Sequence, residues 1–291
     1  MQSNKNIKNF KKYYKHYQDN GYVLIKNFFN KKDCDNATKW LQSKNHKKLA
    51  KSWTEQEPGV PLAVYFGIHK DNTPIAKLAR NKSMLDFASK LVKDKVYIYS
   101  SKVNLKAAWC GAVEYYHQDL VYWRDRGYPR EDMLSTMIML EPHNIYNAPL
   151  HVFPGTHKVG FIKHEPFINI NGLAKFMIPP KKLDMLKKKY GLKVIDAKPG
   201  DILLFHMGLV HGSAHNISSK SRMVILSQLN TEGNIPRNVN KNSIKYNLSR
   251  AKKELTEAKR KLNWFKKKYT KQLKSKKLTF SAPIVKEERV K

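Results

Sequence analysis

Apolar positions along the chain change their period, and the changes mark out its elements. From Phe10 to Asn20 polar and aromatic residues recur at helical spacing, and Gly21 breaks the run. Tyr22-Val-Leu-Ile25 then reads as a short buried strand. Asn30 or Lys31 to Ser43 predicts a helix, because Cys34, Ala37 and Leu41 share one face with Thr38 and Trp40 alongside. Residues 44–62 are polar and contain Pro58, Gly59 and Pro61, a loop by composition. Asn81 to Lys90 is helical again through Met84, Phe87 and Ala88, continued by Leu91. From Lys95 the period becomes two, and Val96 to Leu105 is a strand by its β-branched and aromatic content. Further strands are expected at Glu114–Asp119, Leu134–Leu140, Pro149–Phe153, Asp201–Met207 and Met223–Leu229. Pro142-His-Asn, Pro154-Gly155, Pro199-Gly200 and Asn216 punctuate them. Many short strands after a helical N-terminal segment predict an α+β chain, a double-sheet barrel with helices packed outside.

The last segment departs from this pattern. Ile244, Leu248, Ala251, Leu255, Ala258, Leu262, Phe265, Tyr269 and Leu273 alternate in spacings of three and four, a seam that predicts one long helix. The expected division is therefore one domain over residues 1–240 and a basic C-terminal helix and tail over 241–291. The seam can pack on its own domain, pair with a second copy or meet an anionic surface.

Composition alters the picture in one respect. The 291 residues are 41% hydrophobic and 11% aromatic, enough for a sizeable core. No apolar run approaches the ~20 residues of a membrane span, and the start lacks an apolar leader, so neither a span nor a secretory signal is expected. Cys34 and Cys110 cannot form a disulfide framework or a thiolate zinc site, and a reducing cytoplasm is the simple expectation. The charge is the anomaly: 56 Lys and Arg oppose 23 Asp and Glu, a net +33. Residues 241–291 hold 18 of those basic side chains and 4 of the acidic ones. Such an excess fits nucleic acid, anionic lipid or an anionic substrate. It also fits compositional bias towards Lys and Asn, and no nucleic-acid recognition motif accompanies it.

The chemistry is carried by a few residues. His-x-Asp occurs twice, as His69-Lys-Asp71 in a turn-rich stretch and as His117-Gln-Asp119 among aromatic and β-branched residues. On an extended chain, residues i and i+2 point the same way, so His117 and Asp119 can reach one point. A third ligand is expected from His211, just past the strand that Pro199-Gly200 launches, with His206 and His215 as nearby rivals. Two histidines and one carboxylate form the facial set of non-haem Fe(II) oxygenases. It leaves positions for a chelating 2-oxo acid and for dioxygen. Arg222, on the next strand, offers a forked cation for the far carboxylate of such a co-substrate, and Ser213 a hydroxyl. Taken singly, His211 reads as a satisfied buried histidine and Arg222 as a surface arginine. The combination is much more specific than its parts.

These motifs, in order, resemble a known family. Tyr116-His117-Gln-Asp119-Leu, then Leu150-His-Val-Phe-Pro-Gly-Thr-His157-Lys-Val-Gly160, then Pro199-Gly-Asp201 through His211-Gly-Ser213 to Arg222 are similar to the phytanoyl-CoA hydroxylase family of Fe(II)/2-oxoglutarate dioxygenases. Ile98 to Lys106 also resembles a strand of ectoine hydroxylase, a relative, and the likeness covers about residues 15–235. It implies a double-stranded β-helix, or jelly roll. It implies iron on His117, Asp119 and His211, and 2-oxoglutarate on Arg222 and Ser213 with Lys106 and Asn104. The family's usual Gly before the Pro-Gly-Ser/Thr-His turn is replaced here by Tyr146-Asn147-Ala148, and the stretch from Trp109 to Glu114 is also unusual.

The expectation is thus an oxygenase that hydroxylates a small, anionic metabolite or natural-product intermediate and releases succinate. Desaturation and ring closure share the same centre, whereas the Asp119 carboxylate opposes halogenation. Substrate contacts are expected from Tyr99, Trp109, Tyr115, Tyr122, Trp123 and Arg126, by position alone. The rival readings are a nucleic-acid-directed basic protein, an oxygenase acting on a macromolecule, and a catalytically silent binding module on the same fold.

Overall fold

The computed structural model describes residues 9–43, 64–109, 111, 113–124, 128, 130, 131, 133–168, 174–235 and the single positions 256, 260, 263 and 267. The chain divides into two units, Met1–Arg237 and Asn238–Lys291. Among the described residues the first unit holds twelve strands and five α-helices. The helices are α1 (Phe10–Asn20), α2 (Lys31–Gln42), α3 (Pro74–Ala79), α4 (Lys82–Val92) and α5 (Pro180–Tyr190). The strands are β1 (Tyr22–Ile25), β2 (Val64–Phe66), β3 (Val96–Lys106), β4 (Glu114–His117), β5 (Leu134–Met139), β6 (His151–Val152), β7 (Glu165–Ile168), β8 (Ala174–Met177), β9 (Lys193–Val194), β10 (Ile202–His206), β11 (His211–Ser213) and β12 (Arg222–Thr231).

Local chemistry sets the helix starts. Asn30 accepts from the Asp33 amide at 2.8 Å, Asn81 from Met84 at 3.0 Å and Thr73 from Ala76 at 3.2 Å. Each such cap is worth about 1 kcal/mol. At the other end of α1, Gly21 adopts φ 78°, the left-handed cap for which glycine carries no penalty.

Two antiparallel sheets make the jelly roll. The larger runs β1-β10-β5-β12-β3-β2 and the smaller β4-β11-β6-β9, while β7 and β8 form a separate hairpin. The larger sheet is covered on both faces, which is why β5 is buried at every position rather than at alternate ones. On its outer face Val103, Ile138, Ile202, Leu204 and Ile225 pack with Cys34, Ala37, Ile75, Met84 and Leu91 of the helices. On its inner face Met137, Met139, Leu203, Phe205, Val224 and Leu226 meet Leu150, Val152, Ile195 and Ala197. Side chains of this kind contribute about 1.5–3 kcal/mol each when fully buried, so the inner face is a rigid platform.

The Pro199-Gly200-Asp201 turn is structural. Asp201, 1% exposed, accepts from the Asn27 and Lys198 amides, each at 2.8 Å, and from Lys26 Nζ at 3.0 Å. A Cβ on Gly200 would collide with the Phe29 carbonyl. The loop expected over 44–62 and most of the C-terminal seam lie outside the described residues. Within the second unit, Thr256, Arg260, Asn263 and Lys267 are helical and exposed. Among the described residues no helix is long and apolar enough to cross a membrane.

Candidate functional site

The pairing of β4 with β11 sets His117 directly opposite His211. Gly212 allows this approach, since a Cβ there would press on Tyr116 and the Glu114 carbonyl. The two imidazole centroids are 4.4 Å apart. Asp119 opens a short 3-10 turn, Asp119–Tyr122, immediately after β4. Between the two ligands Gln118 is fully buried and fixes the turn. Its Nε2 donates to the Gly160 and Gly208 carbonyls, and its Oε1 accepts from the Ile162 amide.

Each of the three side chains is held from behind and left open in front. His117 Nδ1 donates to the Tyr115 carbonyl at 2.7 Å and His211 Nδ1 to the Leu209 carbonyl at 3.0 Å. A carbonyl can only accept, so each Nδ1 carries the proton and each Nε2 presents a lone pair. Ser135 on β5 donates to Asp119 Oδ2 at 2.7 Å, leaving Oδ1 free. His117 Nε2 and His211 Nε2 stand 3.6 and 3.7 Å from that Oδ1, too far for hydrogen bonds. All three donor atoms lie within 4.8 Å of one another. Converging donors that do not bond one another suit a shared cation. Two neutral imidazoles and one carboxylate, with backbone and hydroxyl groups orienting them from behind, match the set that suits Fe(II).

Burial and neighbouring charges act differently on the three groups. Burial alone would raise the Asp119 carboxyl, but His211, His117 and Ser135 hold it below the usual carboxylate range. Burial and the nearby His117 push His211 down to about 4, so it stays neutral. Burial also works to lower His117, but Asp119 and Glu114 raise it above its ordinary value.

A second feature lies at the start of β12. Arg222 is 3% exposed and pairs across β3 with Lys106. Its Nη1 donates to the Ala148 carbonyl at 2.7 Å, and among the described residues its buried Nε has no hydrogen-bond partner and no carboxylate forms an ion pair with it. Glu141 is near, but its Oε2 accepts from the Met223 amide at 2.8 Å. Burial raises Glu141 to about 7, against the Met223 bond and the Arg222 charge. Burial lowers Arg222 to about 10, with Glu141 opposing, so it remains a cation. A buried guanidinium without a counter-ion is costly, and an anionic ligand would offset that cost. Lys106, Ser213 and Asn104 are at hand. Lys106 donates to the Ala214 carbonyl at 2.9 Å, Ser213 is buried two residues past His211, and Asn104 Oδ1 is buried without a partner.

Ala148, whose carbonyl holds Arg222, takes φ +58°. This is the position where the family's glycine is missing, and the alanine keeps the left-handed conformation at a cost of roughly 1 kcal/mol.

The expected substrate contacts separate. Tyr122 stands edge-on to His117, with centroids 5.9 Å apart, and meets Phe176 of β8 at 5.6 Å. Tyr99 and Trp123 stack edge-to-face at 4.7 Å, and Trp123 is 8% exposed among Leu120, Met133 and Met207. Trp109 is 71% exposed at φ +64°, and Tyr115 is 48% exposed against Phe167. Arg126 lies outside the described residues.

The register explains Tyr115. A bulge on β4 pairs His117 with His211 but Glu114 with Ser213, so Glu114 takes the inward position that alternation assigns to Tyr115. Glu114 then binds Lys175 of β8 at 2.8 Å. Sequence reasoning missed Glu114, Lys175, Ser135 and Gln118, because a bulge and a distant hairpin leave no local signal.

The rival histidines have other work. His69 Nδ1 lies 2.6 Å from Ser101 Oγ, while Asp71 accepts from Tyr65 at 2.5 Å. His206 Nδ1 accepts from the Gly208 amide at 2.9 Å. His215 Nδ1 lies 3.1 Å from the Gly111 carbonyl, and His157 Nε2 3.1 Å from that of Gln18.

Residues 17–224 match the family model described as phytanoyl-CoA dioxygenase (PhyH). Ectoine dioxygenase of Sphingopyxis alaskensis is 32% identical over 160 residues, 53% of this chain and 52% of its own length. The chain thus spans about half of that relative. L-proline trans-4-hydroxylase of Streptomyces griseoviridis is 27% identical over 200 residues, 62% of this chain and 75% of its own length. Crystal structures of EctD from S. alaskensis, one with bound Fe and one with 2-oxoglutarate and 5-hydroxyectoine, superpose with TM-score 0.66 at 25% identity. They cover 77% of both chains. A jelly roll, a buried His-Asp-His set and a family match over most of the chain converge: the protein belongs to the phytanoyl-CoA dioxygenase (PhyH) family.

Proposed function

We propose that this protein hydroxylates a C–H bond of a small molecule bearing an anionic group, converting dioxygen and 2-oxoglutarate to succinate and CO2 as it does so. The observation that carries this reading is the convergence of His117 Nε2, His211 Nε2 and Asp119 Oδ1, unbonded to one another. In this reading those atoms hold Fe(II), and Arg222 grips the far carboxylate of 2-oxoglutarate with help from Lys106, Ser213 and Asn104. Iron and co-substrate, when bound, supply the activated oxygen that attacks the C–H bond.

The chain's own residues do the positioning. The Tyr115 and Leu209 carbonyls keep both imidazoles neutral and turned inward. Ser135 fixes the carboxylate of Asp119 so that one oxygen faces its partners. Tyr122 and Phe176 wall the approach and limit water near the reacting bond. The relatives are named for ectoine and L-proline, which favours a substrate of amino-acid size.

The test is succinate formation by iron-loaded protein over a panel of small anionic metabolites, with His211→Ala as control. A substrate that stimulates succinate release in the wild type and not in the variant supports the reading. Iron-loaded protein that never consumes 2-oxoglutarate, with or without the panel, contradicts it.

A further inference from the structure

One cation on the inner face of the barrel has no hydrogen bond or ion pair among the described residues. Lys102 lies on β3 at the same parity as Asn104 and Lys106, so all three project towards the barrel interior. Its cross-strand neighbours are Leu226 on β12 and Phe66 on β2. Leu226 in turn pairs with Met137 of β5, two residues from the Ser135 that holds Asp119. Lys102 is half-buried, and its ammonium has the Phe66 ring at 5.9 Å as its recorded contact, with no hydrogen bond or ion pair among the described residues.

The acids around it are already engaged. Glu114 gives both oxygens to Lys175, at 3.0 and 2.8 Å. Asp119 is bonded to Ser135 through one oxygen and faces the histidines with the other. The charges of Glu114, Asp119 and Lys175 all reach Lys102, and burial lowers its affinity for a proton. A half-buried ammonium left over after the acids are paired suits an anionic ligand.

Arg222 sits on the Lys106 rung, four residues along β3 from Lys102. At ~3.3 Å per residue the two rungs are roughly 13 Å apart along the strand. The two cations thus sit on separate rungs, which favours a separate ligand for each.

We propose that Lys102 binds the substrate, pairing with a carboxylate that the substrate must carry. This rests on the oxygenase reading above and names its substrate class as a small carboxylic acid. One ammonium, with no arginine fork beside it among the described residues, suits a monoanion better than a phosphoryl group. The Glu114–Lys175 pair ties β4 to β8 of the β7–β8 hairpin, and both charges reach Lys102.

The experiment is calorimetric titration of the Fe(II)-loaded protein without oxygen, first with 2-oxoglutarate and then with matched pairs of carboxylic acids and their primary amides, from L-proline and L-prolinamide to hexanoate and hexanamide, and with phosphate monoesters. Lys102→Gln and Lys102→Arg are compared with the wild type. The expected result is that acids bind and amides do not. Lys102→Gln should weaken the acids at least about tenfold, Lys102→Arg should retain most of the affinity, and 2-oxoglutarate should bind all three proteins alike. Acids that bind Lys102→Gln as tightly as wild type, preference for amides or phosphate esters, or no acid bound by a protein that does bind 2-oxoglutarate would each overturn the proposal. A loss of 2-oxoglutarate affinity in Lys102→Gln would assign the lysine to the co-substrate instead. Failure of the wild type to bind 2-oxoglutarate at all would overturn the oxygenase reading and this inference together.

Discussion

Replacing Arg222 by methionine separates ligand binding from stability. Methionine keeps most of the side-chain volume and removes the charge. In the ligand-free protein the guanidinium is 3% exposed, has one hydrogen bond to the Ala148 carbonyl and no paired carboxylate. Its removal forfeits that one bond, worth about 1.5–3 kcal/mol, and relieves a desolvation cost of similar or larger size. Arg222→Met should therefore melt within a few degrees of the wild type, or above it. The ligand-bound state behaves differently. Truncating one partner of a buried charge pair costs about 2–5 kcal/mol, which weakens 2-oxoglutarate by a factor of roughly 30 or more. The assay is calorimetric titration of 2-oxoglutarate into metal-loaded protein under anaerobic conditions, alongside thermal melts of both forms. A variant that is as stable as wild type and has lost co-substrate affinity supports the assignment. Unchanged affinity would refute it. A large fall in ligand-free stability would show that the arginine is a structural element rather than a waiting cation.

Other outcomes follow from neighbouring residues. His117→Ala and Asp119→Ala should abolish stoichiometric Fe(II) binding measured by equilibrium dialysis, while His69→Ala, tied to Ser101, should leave it intact. Glu141 has an ordinary value of 4.5 that burial raises to about 7, so the folded protein resists its ionisation. Stability from this group is full below the unfolded value and declines as pH rises towards the folded one. Melts of Glu141→Gln should match the wild type near pH 4 and gain on it between pH 4.5 and 7, and a gap that does not change with pH would contradict this. Ala148→Gly removes left-handed strain of about 1 kcal/mol and adds unfolded-state entropy of similar size, so it should leave the melting temperature nearly unchanged, whereas Ala76→Gly inside α3 should lower it. Leu255→Asp combined with Leu262→Asp tests the C-terminal seam by sedimentation and melting, and no change in either would remove any packing role for it.

The sequence disclosed those parts of the site that depend on local pattern. His117 and Asp119 are two apart on one strand end, so period two brings them together before any fold is known. His211 was reachable because a Pro-Gly turn and an apolar run place it just past a strand, although that segment proved to be a strand of its own, paired with β4. Helices α1, α2 and α4 were legible from their buried stripes, as was β12 from its apolar run. Helix α5 was not, although Leu183, Leu186 and Tyr190 follow Pro180 at helical spacing, because a run of lysines masks the stripe. The substrate wall was illegible for a different reason. Whether Tyr115 or Glu114 faces inward depends on one bulge, and a one-residue slip exchanges every face beyond it. Lys102 carried a usable signal, since it shares parity with Asn104 and Lys106, but a lysine in so basic a chain draws no notice until its surroundings show that nothing pairs with it.

The central claim is that His117, Asp119 and His211 hold one iron ion with 2-oxoglutarate between it and Arg222. Anomalous diffraction at the iron edge, from crystals grown without oxygen with Fe(II) and 2-oxoglutarate, tests this most directly. The account predicts a single strong peak within bonding distance of His117 Nε2, Asp119 Oδ1 and His211 Nε2, with co-substrate density running from it to the Arg222 guanidinium. A peak at His206 or His69, or an iron site with the co-substrate directed away from Arg222, would contradict it.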